Sequence, residues 1–232
     1  MPLEMKAIVT AFALSPTSDN ELAPWIGRVG TSAVTAVHIG MGPPLTRAAL
    51  HRLFDWSRPG YVRVDHVMNA GICGGLDPDV NVGTLINPEM IVDDASGAAY
   101  RHAPPGDVPL SGKLRTMETA TLDPDKSRLF YEDGFIALDM ESAAVAEVCE
   151  TQGVPWSIYR CIGDRYIDGL LDERLIAATN QDGSGDIDAI ERLLQADPDL
   201  GAKLKRLNRE TTNAACIAAE AAVQGCLALD DE

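Results

Sequence analysis

Three short segments of the 232-residue sequence carry residue types and spacings that can do chemistry. Asp139-Met140-Glu141-Ser142 sets two carboxylates around a methionine at a predicted helix start, where the helix dipole favours negative charge. With Met140 facing inward, Glu141 would lie beside a pocket and accept two hydrogen bonds, which suits the neighbouring hydroxyls of a sugar. Asp164, in Arg160-Cys161-Ile162-Gly163-Asp164-Arg165, follows an apolar run and a glycine. A carboxylic acid there could protonate, or hydrogen-bond to, a leaving nitrogen. Asn69-Ala70-Gly71-Ile72-Cys73-Gly74-Gly75-Leu76 clusters glycines after another apolar run, so Gly71, Ile72, Cys73 and Gly74 could present backbone N–H groups to a sugar or an oxyanion.

Each segment also has a plain structural reading. Glycines can simply form a strand exit. Carboxylates at a helix start can serve only the helix. Asp164 can be a loop aspartate paired with Arg160 or Arg165. The glycine cluster is not a Walker loop, because no Gly-Lys-Ser/Thr follows it.

The elements that must position these residues read as alternating strands and helices. Lys6–Phe12 is a short β-branched run that predicts a strand, followed by a polar loop at Ser15–Asn20. Ser32–Ile39 predicts a second strand, running into Gly40-Met41-Gly42-Pro43-Pro44. Leu45–Trp56 has helical spacing, with Leu45, Ala48, Ala49, Leu53 and Trp56 on one face. Val62–Asn69 predicts a buried strand broken by Gly71–Gly75, and Asn81–Val92 predicts strand–turn–strand. Asp93–Gly112, rich in Gly, Pro and Asp, predicts a surface excursion. Phe135–Leu138 is a short apolar strand. Met140–Thr151 is a helix closed by Gly153, and Trp156–Ile162 is a strand ended by Gly163. Ile187–Leu194 and Leu200–Gly225 predict helices, with Gln181–Asp186 a loop or a helix-capping segment. This alternation predicts a single α/β domain over residues 1–232, with a mixed or mostly parallel sheet.

Composition narrows the partners. Thirty-five acids against nineteen Lys and Arg give a formal charge of −16, which argues against nucleic acid or an anionic membrane. Five cysteines without a CxxC pair make a disulfide framework or zinc site unexpected, and the four histidines show no metal-ligand spacing. No apolar run reaches the length of a membrane span and no signal-peptide order is present, so a cytoplasmic protein is the expectation.

Taken in order, the segments HIGMGPP, NAGICGGLDPDVNVGTLINPE, LRTMETATLDPDKSRLFYEDGFIALDMESAAVAEVCETQGVPW and RCIGD resemble the purine nucleoside phosphorylase / methylthioadenosine–adenosylhomocysteine nucleosidase superfamily. The resemblance covers roughly Val37 to Asp168. It implies a three-layer α/β/α sandwich with a mixed, partly barrel-like sheet, and a homo-oligomer whose neighbouring chain often completes the site. It also implies cleavage of the N-glycosidic bond of a purine-type nucleoside. Met140 would pack on the ribose and Glu141 bind its hydroxyls. Asp164 would assist protonation of the base, the Gly71–Gly74 backbone would lie near the sugar or nucleophile, and Thr116–Thr119, with Thr119, would shape the base pocket. No metal or organic cofactor is implied, although phosphate is a possible co-substrate. The C-terminal segment from Gln181 is similar to the tail of hopanoid-associated phosphorylases of the same superfamily, which act on an adenosyl group bearing a bulky apolar tail.

The sequence departs from the pattern where the nucleophile should be held. Asn69 and Ile72 occupy the places of a phosphate-binding Arg and Ser/Thr, leaving Arg28 or Arg47 as possible substitutes. The acid-rich stretch of hydrolytic members is replaced by Ala13–Pro16, leaving Asp19 or Glu21 if the loop folds back. Two other readings stay open: a nucleoside-binding or storage protein without turnover, and a pyroglutamyl-peptidase-like hydrolase with Cys149 as nucleophile. The helical neighbours of Cys149 favour a core cysteine.

Overall fold

The computed structural model describes residues 2–17, 24–55 and 63–230. The chain starts with helix α1 (Leu3–Ala11), then a small antiparallel sheet of β1 (Ser15–Pro16), β2 (Trp25–Val29) and β3 (Ser32–Ala36). Helix α2 (Pro43–Leu53) leads to β4 (Val67–Gly75), β5 (Leu85–Ile86), β6 (Met90–Asp93), β7 (Ala99–Arg101) and β8 (Lys113–Thr116). After α3 (Pro124–Glu132) come β9 (Phe135–Asp139), α4 (Ser142–Gln152) and β10 (Trp156–Arg165). The helices α5 (Glu173–Ala177), α6 (Ile187–Ala196) and α7 (Leu200–Ala228) finish the chain. The main sheet has the strand order β5-β10-β4-β9-β8-β6-β7, with parallel and antiparallel neighbours mixed. This is the expected α/β class with a mixed, curled sheet.

β10 shows why the sheet is covered on both faces. Ile158 and Ile162 point into a core shared with Val145, Val148 and Cys149 of α4, whereas Tyr159 and Cys161 meet Ala214, Ala218 and Ala222 of α7. A strand buried on two sides carries apolar residues at successive positions. Arg160 sits in the middle of that run, on the α4 face, and is almost fully buried. A guanidinium there must find partners, because an unpaired buried charge is prohibitively costly.

The structure corrects several boundaries. Lys6–Phe12 is helical, not extended: Leu3, Ala7 and Ala11 recur at helical spacing and pack on Ala215 and Ala219 of α7. β-branched Ile8, Val9 and Thr10 suggested a strand, but tertiary packing of the small-residue face prevails. The glycine cluster does not break β4, since the strand runs through to Gly75. None of Gly71, Gly74 and Gly75 has the positive φ a sharp turn would use. β10 likewise continues past Gly163 to Arg165. The Asp93–Gly112 excursion contains β7 and the fully buried His102, whose Nε2 accepts from Ile158 N at 3.0 Å. Strands β2 and β8 and helices α3 and α5 escaped the periodicity reading. Trp56 and Val62 lie outside the described residues.

Candidate active site

The site forms where the main sheet splits. β4 and β9 pair only at Gly74–Leu138 and Gly75–Ala137, so β9 leaves the rest of the β4 edge uncovered. Arg160 fills this gap from the neighbouring strand. It stands opposite Gly71 in the β10–β4 register, and a Cβ on Gly71 would collide with Arg160 Nη1 and Glu4 Oε1. Glycine at 71 therefore serves close side-chain passage, not a turn.

Arg160 gathers carboxylates from three elements. Its Nη2 lies 2.9 Å from Asp139 Oδ2 and 3.0 Å from Glu141 Oε2, and its Nη1 lies 3.7 Å from Glu4 Oε1. Nη1 also donates to the carbonyl of Ile72 at 3.2 Å. The Ile72 N–H donates to Glu4 Oε1 at 2.7 Å. Both backbone groups of Ile72 are thus engaged by side chains of the protein.

The two carboxylates around Met140 divide the two readings between them. Asp139 serves the fold: it accepts from Thr116 Oγ1 at 2.7 Å, from the Ser142 N–H at 3.1 Å and from the Ser142 hydroxyl. Thr116 Oγ1 in turn accepts from the Ala143 N–H at 2.9 Å. Together they satisfy the N–H groups of Ser142 and Ala143, the first two residues of α4. Glu141 turns the other way. Its Oε1 accepts from the Gly42 N–H at 2.9 Å, and that bond depends on Gly42 holding φ +94 just before Pro43 opens α2. Burial pushes Glu141 up to about 7; Arg160 pulls it back, while Asp139 and Glu4 add to the rise. Met140 is half-buried, with its methyl beside Gly42.

Asp164 is set by a register shift between Ile162 and Asp164, which pairs it with Gly74 of β4. Bulges of this kind re-aim a side chain. The ordinary pairing with Arg160 or Arg165 is not made. Arg160 is committed as described, and Arg165 makes a two-point contact with Asp168 at 3.1 and 3.0 Å. Among the described residues nothing hydrogen-bonds to the Asp164 carboxyl, and burial, with Asp168 and Glu210, raises it to about 6. The register places Arg160 at Gly71 and Asp164 at Gly74. Three strand steps, roughly 10 Å along β4, separate the two positions.

Other expected residues fall differently. Cys73 is buried, and its thiol is raised by burial. Thr119 is exposed, whereas Thr116 is built into the cluster. Asn69 donates to Ser142 Oγ at 3.3 Å. Arg47 is held by Glu147 at 2.7 Å, and Arg28 donates to the carbonyl of Thr31 at 2.6 Å. Cys149 is fully buried with its thiol pushed up to about 12, which removes the thiol-nucleophile reading. Asp19 and Glu21 lie outside the described residues. Two residues were missed. Arg160 had a signal, a charge inside an apolar strand; Glu4 had none, because its helix was read as a strand beginning at Lys6. No group of His, Cys, Asp and Glu among the described residues has an arrangement able to hold a metal ion.

Comparison with known proteins places the chain in a family. The family model described as the phosphorylase superfamily matches residues 1–123 and 106–196. A 5′-methylthioadenosine/S-adenosylhomocysteine nucleosidase of Pseudoalteromonas translucida is 26% identical over 172 residues, covering 60% of this chain and 70% of that protein. The enzyme of the same name from Geobacillus thermodenitrificans is 30% identical over 164 residues, covering 57% and 64%. The nucleosidase structure from Colwellia psychrerythraea, in complex with adenine, superposes with a TM-score of 0.67 at 17% identity over 99% of this chain and 92% of that one. Futalosine hydrolase of Helicobacter pylori superposes at 0.66 with 13% identity over 100% and 95%.

Proposed function

Because the chain belongs to the phosphorylase superfamily, we propose that it cleaves the N-glycosidic bond of a purine-type nucleoside with water as the nucleophile. The observation that carries the choice of water is the crowding of Asp139, Glu141 and Glu4 around the single guanidinium of Arg160. Like charges that close would repel a phosphate dianion. Arg47 and Arg28, the substitutes considered for phosphate, are engaged elsewhere. The relatives named above as nucleosidases support the same reading.

In this mechanism Glu141, already accepting one bond on each oxygen, uses its remaining lone pairs for the two ribose hydroxyls. Met140 packs on the sugar face. As the C1′–N bond breaks, positive charge grows on the ribose and is stabilised by the carboxylates nearby. Asp164 donates its proton to the departing base nitrogen. Glu4, 37% exposed and fixed by the Ile72 N–H, takes the proton of the water that attacks C1′. The products are free base and free sugar. The backbone from Gly71 to Gly74 lines the sugar side, and Thr119 lies toward the base. No metal or organic cofactor enters.

The chain works in the cytoplasm as a homo-oligomer in this proposal; no helix among the described residues is long and apolar enough to cross a membrane. Exposed Ile26, Leu129, Ile167 and Ile187 supply apolar surface for a second copy. The test is to incubate the protein with 5′-methylthioadenosine, S-adenosylhomocysteine and simple purine nucleosides, with and without phosphate. Free sugar formed at the same rate in both arms supports the proposal. A sugar 1-phosphate formed only with phosphate, or nucleoside binding without base release, overturns it.

A further inference from the structure

We propose that Glu210, on α7, is a positioning residue that keeps the Asp164 carboxyl unpaired and in its acid form. The inference rests on the reading of Asp164 as the proton donor. α7 lies directly on the strand end that carries Asp164: the Thr211 methyl is 3.4 Å from where a Cβ on Gly163 would stand. Three guanidiniums stand at this corner, Arg165 from the strand and Arg206 and Arg209 from α7, and any of them would ionise Asp164 if it paired with it.

All three are diverted. Arg165 binds Asp168 through two contacts and donates its Nη1 to the carbonyls of Pro78 and Val80 at 3.3 and 3.4 Å. Arg206 donates its Nε to Glu210 Oε1 at 2.9 Å and lies 3.8 Å from Asp168. Glu210 and Asp168 therefore hold Arg206 between them. Arg209 lies 3.7 Å from Glu210 Oε1. The second oxygen of Glu210, Oε2, is buried and has no hydrogen-bond partner. A carboxylate oxygen left unpaired costs free energy unless something else is gained. What it supplies is negative charge on the α7 side of Asp164, joined by that of Asp168 from the turn after β10. The Cys73 thiol on β4, which feels the Asp164 charge, is held neutral by burial, and Arg165 is engaged with Asp168.

The test follows the Asp164 carboxyl carbon by NMR through a pH titration, alongside the pH dependence of kcat/KM. Glu210→Gln keeps the shape and can still accept from Arg206. It should move the Asp164 midpoint down by about half a pH unit or more, cutting its acid form roughly threefold above neutrality. kcat/KM should fall by the same factor above neutrality and be nearly unchanged below about pH 5, and Glu210→Asp should restore most of it. Arg206→Gln, which removes a neutralising charge, should move both upward. An unchanged Asp164 midpoint in folded Glu210→Gln, or a fall in activity equal at every pH, overturns the proposal. The NMR arm needs no turnover, so a protein that releases no base would defeat the donor reading while the coupling is still decided.

Discussion

Arg160 reaches Glu141 by passing over Gly71: its Nη2 stands 3.0 Å from Glu141 Oε2 while Gly71 leaves the space that any Cβ would fill. The same guanidinium neutralises Asp139, which caps α4 and is itself almost fully buried. One buried cation thus ties the fold of a helix start to the orientation of a carboxylate facing the gap. Removing it strands Asp139. Arg160→Met should lower stability by about 3–5 kcal/mol, the usual cost of an orphaned buried charge, read from the urea midpoint. Loss of activity without loss of stability would contradict this role.

Gly71→Ala tests the passage itself. The added methyl meets Arg160 Nη1 and Glu4 Oε1 together, so one of them must move. The expected cost is about 1–3 kcal/mol of stability with a marked fall in kcat. Gly74→Ala is the control, because a Cβ there has only the Leu138 carbonyl within 4.0 Å, and it should be milder.

Much of this was legible in the residues themselves. The strand–helix–strand order from Phe135 to Ile162 follows from apolar runs punctuated by Gly153, which closes α4 in the left-handed conformation. Glu141 and Asp164 were visible as carboxylates beside apolar strands. What periodicity could not show was long-range. The helix of Leu3–Ala11 is decided by its packing on α7, some two hundred residues away, and the glycines of β4 are decided by a side chain on β10. Glu4 reaches the gap only because that helix forms. The division of labour between Asp139 and Glu141 depends on Thr116 and Gly42, which belong to other elements.

The pH dependence of kcat/KM should be bell-shaped, with its maximum between about 6 and 7. Glu141, with its pKa near 7, must be ionised to accept from two hydroxyls, so activity rises with pH on the acid side as it loses its proton. Asp164, with its pKa near 6, must be protonated to donate; because the required base has the higher pKa, a minority form is active and the limbs break near 6 and near 7. A profile flat from pH 5 to 8 would contradict both assignments.

Asp164→Asn separates function from stability. A carboxyl raised from 3.8 to about 6 in the fold holds its proton more tightly than in the unfolded chain. Its stabilising contribution is complete below 3.8 and is lost as pH rises through about 6. The neutral amide escapes that loss, so the variant should be more stable than the parent at pH 8, on the order of 1–3 kcal/mol, and no more stable at pH 3.5. Base release should fall by about 10²–10⁴-fold in the same variant. Calorimetry at the two pH values and a base-release assay check the pair of outcomes. A variant that is less stable at pH 8, or that retains full activity, would remove Asp164 from its assigned place.

The central claim is that water, activated beside Arg160 by Glu4, attacks the sugar of a purine nucleoside. Its most direct measurement is cleavage in ¹⁸O-labelled water at several phosphate concentrations, with the sugar product weighed by mass spectrometry. The account predicts one ¹⁸O at C1′ of a free sugar, a rate independent of phosphate, and a loss of at least about 10²-fold in Glu4→Gln with the product unchanged. A sugar 1-phosphate without the label, at a rate that rises with phosphate, would contradict it.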